Sequence, residues 1–256
     1  MPKAKIALFL FRAIITLATG RGAFANEPPC RPENYADNAY TVCEVDLTQR
    51  AIRLYWKRPN GAPYAHLSSL PKSLGGGPSE LLFAMNAGMF DSALNPVGLY
   101  IEQGEELVHA NTRSGFGNFH MKPNGIFYVS GDKAGVMETR AFLKQRPQVD
   151  AATQSGPMLV INGRIHPRFK WASTSLKVRN GVGVRTDKIV VFAISDGEVS
   201  FDAFARLFRD GLNCPNAVFL DGASASSLYA PALNRLGNFL PLGPMLGVFP
   251  RPPTPR

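Results

Sequence analysis

The chain of 256 residues has few of the side chains that hold metal ions or carry redox chemistry. It contains 3 cysteines and 4 histidines, and it has no Cys-x-x-Cys pair. The histidines are scattered along the sequence, at His66, His109, His120 and His166. Zinc-finger spacings and thiol redox motifs are therefore absent. We expect no required cofactor, although acidic groups beside a phosphate can also bind a divalent cation such as calcium or magnesium.

Long hydrophobic runs are also lacking. Two apolar stretches near the N-terminus, residues 6–11 and 13–17, follow a pair of lysines and are separated by Arg12. Neither stretch reaches the roughly 18 residues that a membrane-spanning helix requires. Residues 23–25 read Ala-Phe-Ala, which is typical of a signal-peptide cleavage site. The sequence therefore predicts a signal peptide over residues 1–25, a periplasmic or secreted protein, and no stable membrane insertion after cleavage.

Runs of one charge sign are absent too, although the formal net charge is +9. Cleavage after residue 25 removes four basic residues and no acidic one, which lowers the net charge to +5. The remaining Lys and Arg residues are dispersed, and no aromatic-glycine RNA-binding signature is present. We therefore expect no nucleic-acid partner, whereas a local cluster of arginines facing an anionic substrate is compatible with this charge.

Two of the three cysteines lie close together in the sequence. In an oxidising compartment, Cys30 and Cys43 are expected to form a disulfide that closes a short loop and stabilises the fold by about 3 kcal/mol. Cys214 is then left over, beside Pro215. An isolated cysteine of this kind is more often a buried thiol than a nucleophile.

Short strands dominate the predicted secondary structure. Residues 40–47 and 51–56 each alternate between apolar and polar side chains, which predicts an N-terminal β-hairpin. Further strands are expected at residues 81–85, 97–102, 125–130, 158–161, 182–185, 189–195 and 217–220.

Two segments have a helical pattern. Residues 200–210 place their apolar side chains on one face, with Ser200 as the N-cap and Gly211 as the C′ residue. A weaker pattern covers residues 139–144, with Val136 as an alternative start. Many strands with few helices predict an α+β fold, built as a single domain with a mixed β-sheet core and flanking helices.

The stretch from Val218 to Tyr229 contains the most informative carboxylate. An apolar strand ending at Leu220 brings Asp221 into a turn with Gly222 and three serines. The same sequence also fits an ordinary strand-ending turn, in which the aspartate caps its own backbone. A serine hydrolase is disfavoured, because the nucleophile elbow Gly-x-Ser-x-Gly needs a glycine where this chain has Ser226.

Several polar loops adjoin apolar strands, and each combines a glycine with one or two polar side chains. If the strands pair in one sheet, these loops meet at one cleft. An amide such as Asn86, at the end of a buried strand, needs a partner that a ligand hydroxyl or a loop amide can supply. The side chains expected at the cleft are Asn86, Asp91, Gln154, Arg179, Arg185, Asp196, Asp221, Ser224 and Ser226.

Four of these segments together resemble the phosphodiester glycosidase family. They are residues 85–90, 154–160, 179–184 and 220–226, in the order expected for the family. The stretch at residues 117–125 is similar to the bacterial branch of that family. The chain departs from the family after Asp221-Gly222, where further glycines are frequent and this chain has Ala223 and Ser224.

The resemblance covers about residues 80–249 and defines the predicted domain organisation. We assign residues 26–79 to an N-terminal hairpin and loop region of the same domain, and residues 80–249 to the phosphodiester glycosidase-like region. The Pro-rich residues 250–256 are expected to form a disordered tail.

Family membership implies a hydrolase that cleaves the bond between a sugar C1 and a phosphate or related glycan aglycone. Asp221 would stabilise an oxocarbenium-like transition state or act as nucleophile or base, with Asp196 or Asp91 as a second carboxylate. Arg179 and Arg185 would bind the phosphate, because a guanidinium matches phosphate with two hydrogen bonds.

The remaining polar side chains would bind the sugar hydroxyls and orient Asp221; they are Asn86, Gln154, Ser224 and Ser226. Two other functions fit the same cleft. One is a binding module that holds a glycan or cell-wall fragment without hydrolysis, and the other is a phosphodiesterase in which water attacks phosphorus instead of C1.

Overall fold

A computed structural model describes residues 28–73 and 81–251. The predicted signal peptide, residues 74–80 and residues 252–256 of the predicted tail lie outside the described residues. Within the described ranges, no helix has the length and apolar character needed to cross a bilayer.

The chain is mostly β-strand in these ranges. The strands are β1 (Cys30–Tyr35), β2 (Asn38–Asp46), β3 (Arg50–Tyr55), β4 (Phe83–Asn86), β5 (Tyr100–Glu102), β6 (Glu105–Val108), β7 (Gly125–Ser130), β8 (Lys133–Glu138), β9 (Ala151–Ser155), β10 (Met158–Ile161), β11 (Arg164–Ile165), β12 (Asn180–Thr186), β13 (Ile189–Ser195), β14 (Asn216–Phe219), β15 (Leu228–Ala230), β16 (Arg235–Leu236) and β17 (Met245–Pro250). The α-helices are α1 (Leu70–Ser73), α2 (Thr139–Gln145) and α3 (Phe201–Arg206).

The strands form three sheets. A seven-stranded sheet has the order β1-β2-β13-β12-β14-β10-β11, and two five-stranded sheets have the orders β16-β15-β4-β17-β3 and β6-β5-β9-β7-β8. All pairings between these strands are antiparallel. The predicted mixed sheet is therefore wrong, although strands do outnumber helices as expected. Parallel neighbours need crossovers of a dozen or more residues, whereas several strands here follow one another through tight turns.

The predicted pairing of the first two alternating segments is also wrong. β2 pairs with β1 on one side and with β13 on the other, so both of its edges are occupied. β3 pairs with β17 in a different sheet. The N-terminal hairpin is instead formed by β1 and β2. Alternation identified the strands correctly but carried no information about their partners.

The helix predicted at residues 200–210 is present but divided. Ser200 is its N-cap, since the Ser200 side chain accepts from the Ala203 N–H at 3.1 Å. After Arg206 the helix widens into a π-turn over Leu207–Gly211, where the Leu212 N–H donates to the Leu207 carbonyl. The weaker predicted helix is α2; Val136 belongs to β8 instead.

The seven-stranded sheet carries apolar side chains on both faces. On one face, Phe192 contacts Phe83 and Phe127, which come from the two smaller sheets, with ring centroids 5.6 and 5.8 Å apart. On the opposite face, Phe219 packs in a cluster with Phe204 of α3. The sheet is thus the middle layer of the molecule, and its strands read as apolar runs because they are buried on both faces.

The strand register places the predicted loops at one end of the sheets. Asn86 at the end of β4 pairs with Met245, and Ser155 at the end of β9 pairs with Gly125. Gly181 of β12 pairs with Phe219 at the end of β14. We call this side, where the chain enters the turn containing Asp221, the Asp221 end.

The structure joins Cys30 and Cys43 in a disulfide between directly paired residues of β1 and β2. The two cysteines are 13 residues apart in the sequence. Because the crosslink restricts the unfolded chain, replacing both by Ala is expected to lower the free energy of unfolding by about 3 kcal/mol. Urea unfolding of the double variant measures this loss, and reduction of the unmodified protein should reproduce it. Equal stability of the oxidised and reduced proteins would contradict the expectation.

Candidate active site

The side-chain amide of Asn86 connects two strands to the turn that contains Asp221. Asn86 is fully buried at the end of β4. Its Nδ2 donates to the Asp221 carbonyl at 2.9 Å. Its Oδ1 accepts from Asn180 Nδ2 at 2.6 Å and from the Ser227 N–H at 2.9 Å. Protein groups therefore satisfy this amide, and Asn86 and Asp221 are brought together as the sequence predicted.

Asn180, the first residue of β12, is a second buried amide that the sequence prediction did not include. It is fully buried, and its Oδ1 has no hydrogen-bond partner among the described residues. An unpaired buried acceptor costs roughly 1–3 kcal/mol. Such a cost favours a role in function over one in stability. The signal that identified Asn86, an amide at the end of a buried strand, applies equally to Asn180.

The Asp221 carboxylate is held by its own turn. Its Oδ1 accepts from the Gly222 N–H at 2.9 Å, and no Lys or Arg of the described ranges forms an ion pair with it. Burial raises the pKa of Asp221 to about 6, and the Gly222 hydrogen bond opposes that rise. A carboxylate that is largely buried, unpaired and close to neutral pKa is typical of a group kept for chemistry.

Two contacts join the sheet of β9 to the Asp221 end. The Ser155 hydroxyl donates to the Leu220 carbonyl at 3.0 Å, and the Gly88 N–H donates to Thr153 Oγ1 at 3.1 Å. A Cβ on Gly88 would lie 2.4 Å from the Gln154 carbonyl oxygen. Only glycine allows this close approach, so Gly88 sets the spacing between β4 and β9.

The serines after Asp221 support the turn. The Ser226 hydroxyl donates to the Val178 carbonyl at 3.2 Å. The Ser224 carbonyl accepts from Asn238 Nδ2 at 2.7 Å, while its side chain is exposed. Ser227, which the sequence prediction also missed, accepts from the Asn238 N–H at 2.9 Å. These contacts fix the turn to its neighbours on both sides.

Gln154 is engaged within the protein. Its Oε1 accepts from the N–H groups of Leu99 and Asn111 at 2.9 and 2.8 Å. Its Nε2 donates to the Asn111 carbonyl at 2.8 Å and to Thr139 Oγ1 at 3.3 Å. The structure therefore places Gln154 as the anchor of the loop before β7, and its predicted contact with sugar would require these bonds to open.

Arg179 points into the apolar layer beneath the turn. It is 2% exposed, and its guanidinium stacks on the Phe201 ring at 3.6 Å. Its Nε and Nη2 each donate at 2.8 Å to the carbonyls of Val199 and Ser175. Burial lowers the pKa of Arg179 to about 10, so it stays charged at neutral pH. It carries a buried positive charge without a carboxylate partner in the described ranges.

Arg185 lies near the other end of β12 and is not brought to the site. Its Nη2 pairs with Glu44 at 3.0 Å, and its Nε donates to the Leu212 carbonyl at 3.1 Å. Five residue-to-residue steps along the extended strand lead from Asn180 to Arg185, a span of roughly 16 Å. The sequence analysis expected both arginines at one cleft, but Arg185 lies far along β12, within the segment predicted as a strand at residues 182–185.

The two candidates for a second carboxylate have other partners. Asp196 accepts from the Thr41 hydroxyl at 3.2 Å and pairs with Arg235. Since β12 lies between the strands leading to Asp196 and Asp221, their main chains are two strand spacings apart, roughly 10 Å. Asp91 is exposed and accepts from the N–H groups of Ala93 and Asn95 within its own turn.

A concavity of about 590 Å³ among the described residues has none of these groups in its lining. It runs along β3 from Ala51 to Tyr55 and reaches the end of β7, the start of β9 and the end of β17, and these last three lie opposite to the Asp221 end. Large pockets are the usual place for a ligand. Here the buried amides and the carboxylate with a raised pKa outweigh concavity as signs of a functional site.

In the ranges that the structure describes, no group of three or more His, Cys, Asp or Glu residues is arranged to hold a metal ion. The expectation that no cofactor is required, with a divalent cation left open, stays a prediction.

The raised pKa of Asp221 leads to a prediction about thermal stability. The folded state binds a proton on the Asp221 carboxylate more tightly than the unfolded chain does. The stabilisation of the folded state by this protonation is therefore full below about pH 4 and is lost as the pH rises through about 6. Asp221→Asn is therefore expected to melt at a higher temperature than the unmodified protein at about pH 7.5, with the difference vanishing near pH 4. Thermal unfolding at both pH values measures this.

Asp91→Asn is the matched control. The pKa of Asp91 is lowered chiefly by the hydrogen bond from the Asn95 backbone. Ionised Asp91 therefore stabilises the folded state above the pKa of an unfolded aspartate, and this stabilisation is lost in acid. This variant should melt at a lower temperature at neutral pH. A lower melting temperature for Asp221→Asn as well would show that its carboxylate is a structural cap.

Comparison with known proteins gives a family match and a relative. The model of the family described as phosphodiester glycosidase matches residues 79–249. A protein of Escherichia coli (strain K12), named uncharacterized protein YigE, is 40% identical over 184 residues, which is 72% of this chain and 70% of that protein.

Two solved structures share the fold. The catalytic domain of zebrafish N-acetylglucosamine-1-phosphodiester alpha-N-acetylglucosaminidase, auto-inhibited by its pro-peptide, has a TM-score of 0.61 and 16% identity over 88% of this chain and 85% of its own. A hypothetical protein from Synechocystis has a TM-score of 0.55 and 15% identity over 87% of this chain and 61% of its own. From the extent of the family match and the identity to the Escherichia coli protein, this chain belongs to the phosphodiester glycosidase family.

Proposed function

We propose that this protein is a hydrolase that cleaves the bond between C1 of a sugar and the oxygen of a phosphodiester. Family membership supports a glycosidase type of reaction. The observation that carries the proposal is the Asp221 carboxylate, which is largely buried and has no ion-pair partner in the described ranges. The main-chain carbonyl of Asp221 is held by the Asn86 amide.

The chemistry needs negative charge near C1. As the C1–O bond breaks, its electron pair leaves with the phosphate and positive charge develops on the sugar ring. Ionised Asp221 stabilises that charge, and it either bonds to C1 or takes a proton from the water that adds there. Because a phosphate departs without full protonation, a second carboxylate is not required for departure. Asp196 and Asp91, with their own partners, remain supporting candidates.

The positive electrostatic potential of Arg179 favours a substrate that carries a phosphate. Val178 and Asn180, its neighbours, hydrogen-bond with the main chain of Ala223 and Leu220 on either side of Asp221. A buried guanidinium without a carboxylate partner raises the local positive potential, which favours an anion nearby. Its Nε and Nη2 stay on protein carbonyls, so this contribution does not require the direct phosphate contact expected from the sequence.

The same proposal includes export. The signal-like segment at residues 1–25 and the Cys30–Cys43 disulfide both fit an oxidising compartment, periplasmic or extracellular.

The pKa of Asp221 predicts the pH dependence of turnover. If ionised Asp221 is the reactive form, kcat/KM for a sugar phosphodiester should rise through about pH 6 and level off above it. Asp221→Asn should lose at least roughly a thousandfold in kcat. Asp132→Asn, a surface aspartate paired with Lys188, is the control and should keep normal turnover. An activity that falls as the pH rises through this range would instead make Asp221 a proton donor.

The position of bond cleavage separates the alternatives. Hydrolysis in ¹⁸O-labelled water should place the label on the sugar C1 hydroxyl and none on the phosphate. Label on phosphate would establish attack at phosphorus. Measurable glycan binding without any released sugar, over a panel of phosphodiesters and ordinary glycosides, would favour the non-catalytic binding module.

A further inference from the structure

Three loops at the Asp221 end carry exposed apolar side chains at their tips. They are loop A (residues 109–124), loop B (166–179) and loop C (237–244, between β16 and β17), which we call the aromatic loops. Phe116 of loop A is 101% exposed and Phe239 of loop C is 97% exposed. Trp171 of loop B is 77% exposed. Leu176 of loop B and Leu240 of loop C add further exposed apolar surface, as does Leu236 at the end of β16.

The register shows that these loops share one end of the molecule. Loop A leads into β7, whose first residue pairs with Ser155. Loop B leads into Asn180, which bonds to Asn86. Loop C leads into β17, whose first residue pairs with Asn86. All three therefore surround the approach to Asp221.

Two of the exposed aromatic tips are presented by anchored loops. Asn111 of loop A is bonded to Gln154 through its N–H and its carbonyl. Asn238, next to Phe239, donates to the Ser224 carbonyl and to Ser227 Oγ. Fixed loops that project apolar side chains into water cost free energy in the isolated protein, which points to a partner surface.

The aromatic loops contain no acidic residue. Their basic residues are Arg113, Lys122, Arg168, Lys170, Lys177 and Arg179. Of these, Arg113, Arg168, Lys170 and Lys177 are exposed. Carboxylates do occur at the same end, because Asp91, Asp196 and Glu198 are exposed in neighbouring turns and Asp196 pairs with Arg235. Within the loops themselves, apolar tips accompanied only by cations match the chemistry of an anionic lipid headgroup layer above hydrocarbon.

We infer that the aromatic loops dock this protein on an anionic membrane surface with the Asp221 site facing the lipid. One consequence of this docking rests on the proposed function: the phosphodiester substrate carries a lipid aglycone. The docking is peripheral and reversible, in keeping with the absence of a membrane-spanning helix in the described ranges.

A soluble anionic glycan is the alternative ligand for the aromatic loops. Sugar rings bind aromatic side chains that form the wall of a groove, flanked by hydrogen-bonding groups. Phe116 and Phe239 are almost completely exposed, so no neighbouring atoms stand beside them to form such a wall. Insertion into a bilayer instead requires side chains that protrude, and leucines next to phenylalanine favour hydrocarbon over sugar.

Vesicle co-sedimentation tests the inference. The purified protein should bind mixed phosphatidylcholine–phosphatidylglycerol vesicles, bind phosphatidylcholine vesicles less, and lose affinity as salt increases. Phe116→Ser combined with Phe239→Ser should weaken binding at least roughly tenfold. Leu107→Ser, an exposed apolar residue on edge strand β6, is the matched control.

Charge variants provide the second comparison. Replacing Arg168 and Lys170 of loop B by Gln should weaken binding to the anionic vesicles, whereas Arg164→Gln in the hairpin at the opposite end should not. Because all of these side chains are exposed, the variants are expected to keep the stability of the unmodified protein. Vesicle binding unaffected by the aromatic and basic replacements would overturn the inference. Binding to dextran sulfate without binding to vesicles would also overturn it.

Activity separates this inference from the proposed function. The ratio of kcat/KM for a lipid-linked sugar phosphodiester in vesicles to that for a soluble phosphodiester should fall roughly tenfold in the double Phe variant. Loop-dependent vesicle binding without hydrolysis of any phosphodiester would support the docking surface and contradict the proposed hydrolase. Efficient hydrolysis of soluble phosphodiesters without vesicle binding would support the proposed hydrolase and contradict the docking surface.

Discussion

The buried amide of Asn86 is the contact on which the candidate site depends. Its two polar atoms pair with the Asp221 carbonyl, with Asn180 Nδ2 and with the Ser227 N–H. These groups belong to separate segments of the chain, and each would be unpaired in a dry interior if the amide were absent. Since an unpaired buried polar group costs roughly 1–3 kcal/mol, one side chain determines how β4, β12 and the Asp221 turn lie relative to one another.

Around this contact, structural and chemical tasks are divided between side chains. Gln154, Ser155, Ser226 and Ser227 use their polar atoms on the protein itself and hold the loops in place. Asp221 and the Asn180 oxygen are different, because each has hydrogen-bonding or charge capacity that the described residues do not use. Unused polar capacity in a buried position weakens the fold, so its presence here is a sign of function. Arg179 contributes a third unmatched group, a buried positive charge.

Much of this was predictable from local sequence. Period-two alternation and apolar runs identified most strands, and Ser200 identified the start of α3 because capping is a local interaction. The proximity of Asn86 to Asp221 followed from one rule, that a polar residue ending a buried strand must find a partner. The pairing of β2 with β13, the antiparallel sheets and the position of Arg185 beside Glu44 did not follow, because they depend on contacts between residues far apart in the chain. The same limit applied to the concavity at the opposite end, which local sequence gave no reason to expect.

The sequence by itself determined most of the elements and the family, and it predicted Asp221 as the reactive carboxylate. These are properties of short segments, in which spacing and residue type decide the result. Only the tertiary structure decided which of the predicted polar residues meet, because a hydrogen bond needs atoms within about 3 Å and sequence spacing does not report that distance. It showed that Gln154 and Arg179 are occupied inside the protein and that Asn180 shares the site. It also showed that three acid-free loops with exposed aromatic tips lie at the same end as Asp221, since strand register, and not position along the chain, brings them together.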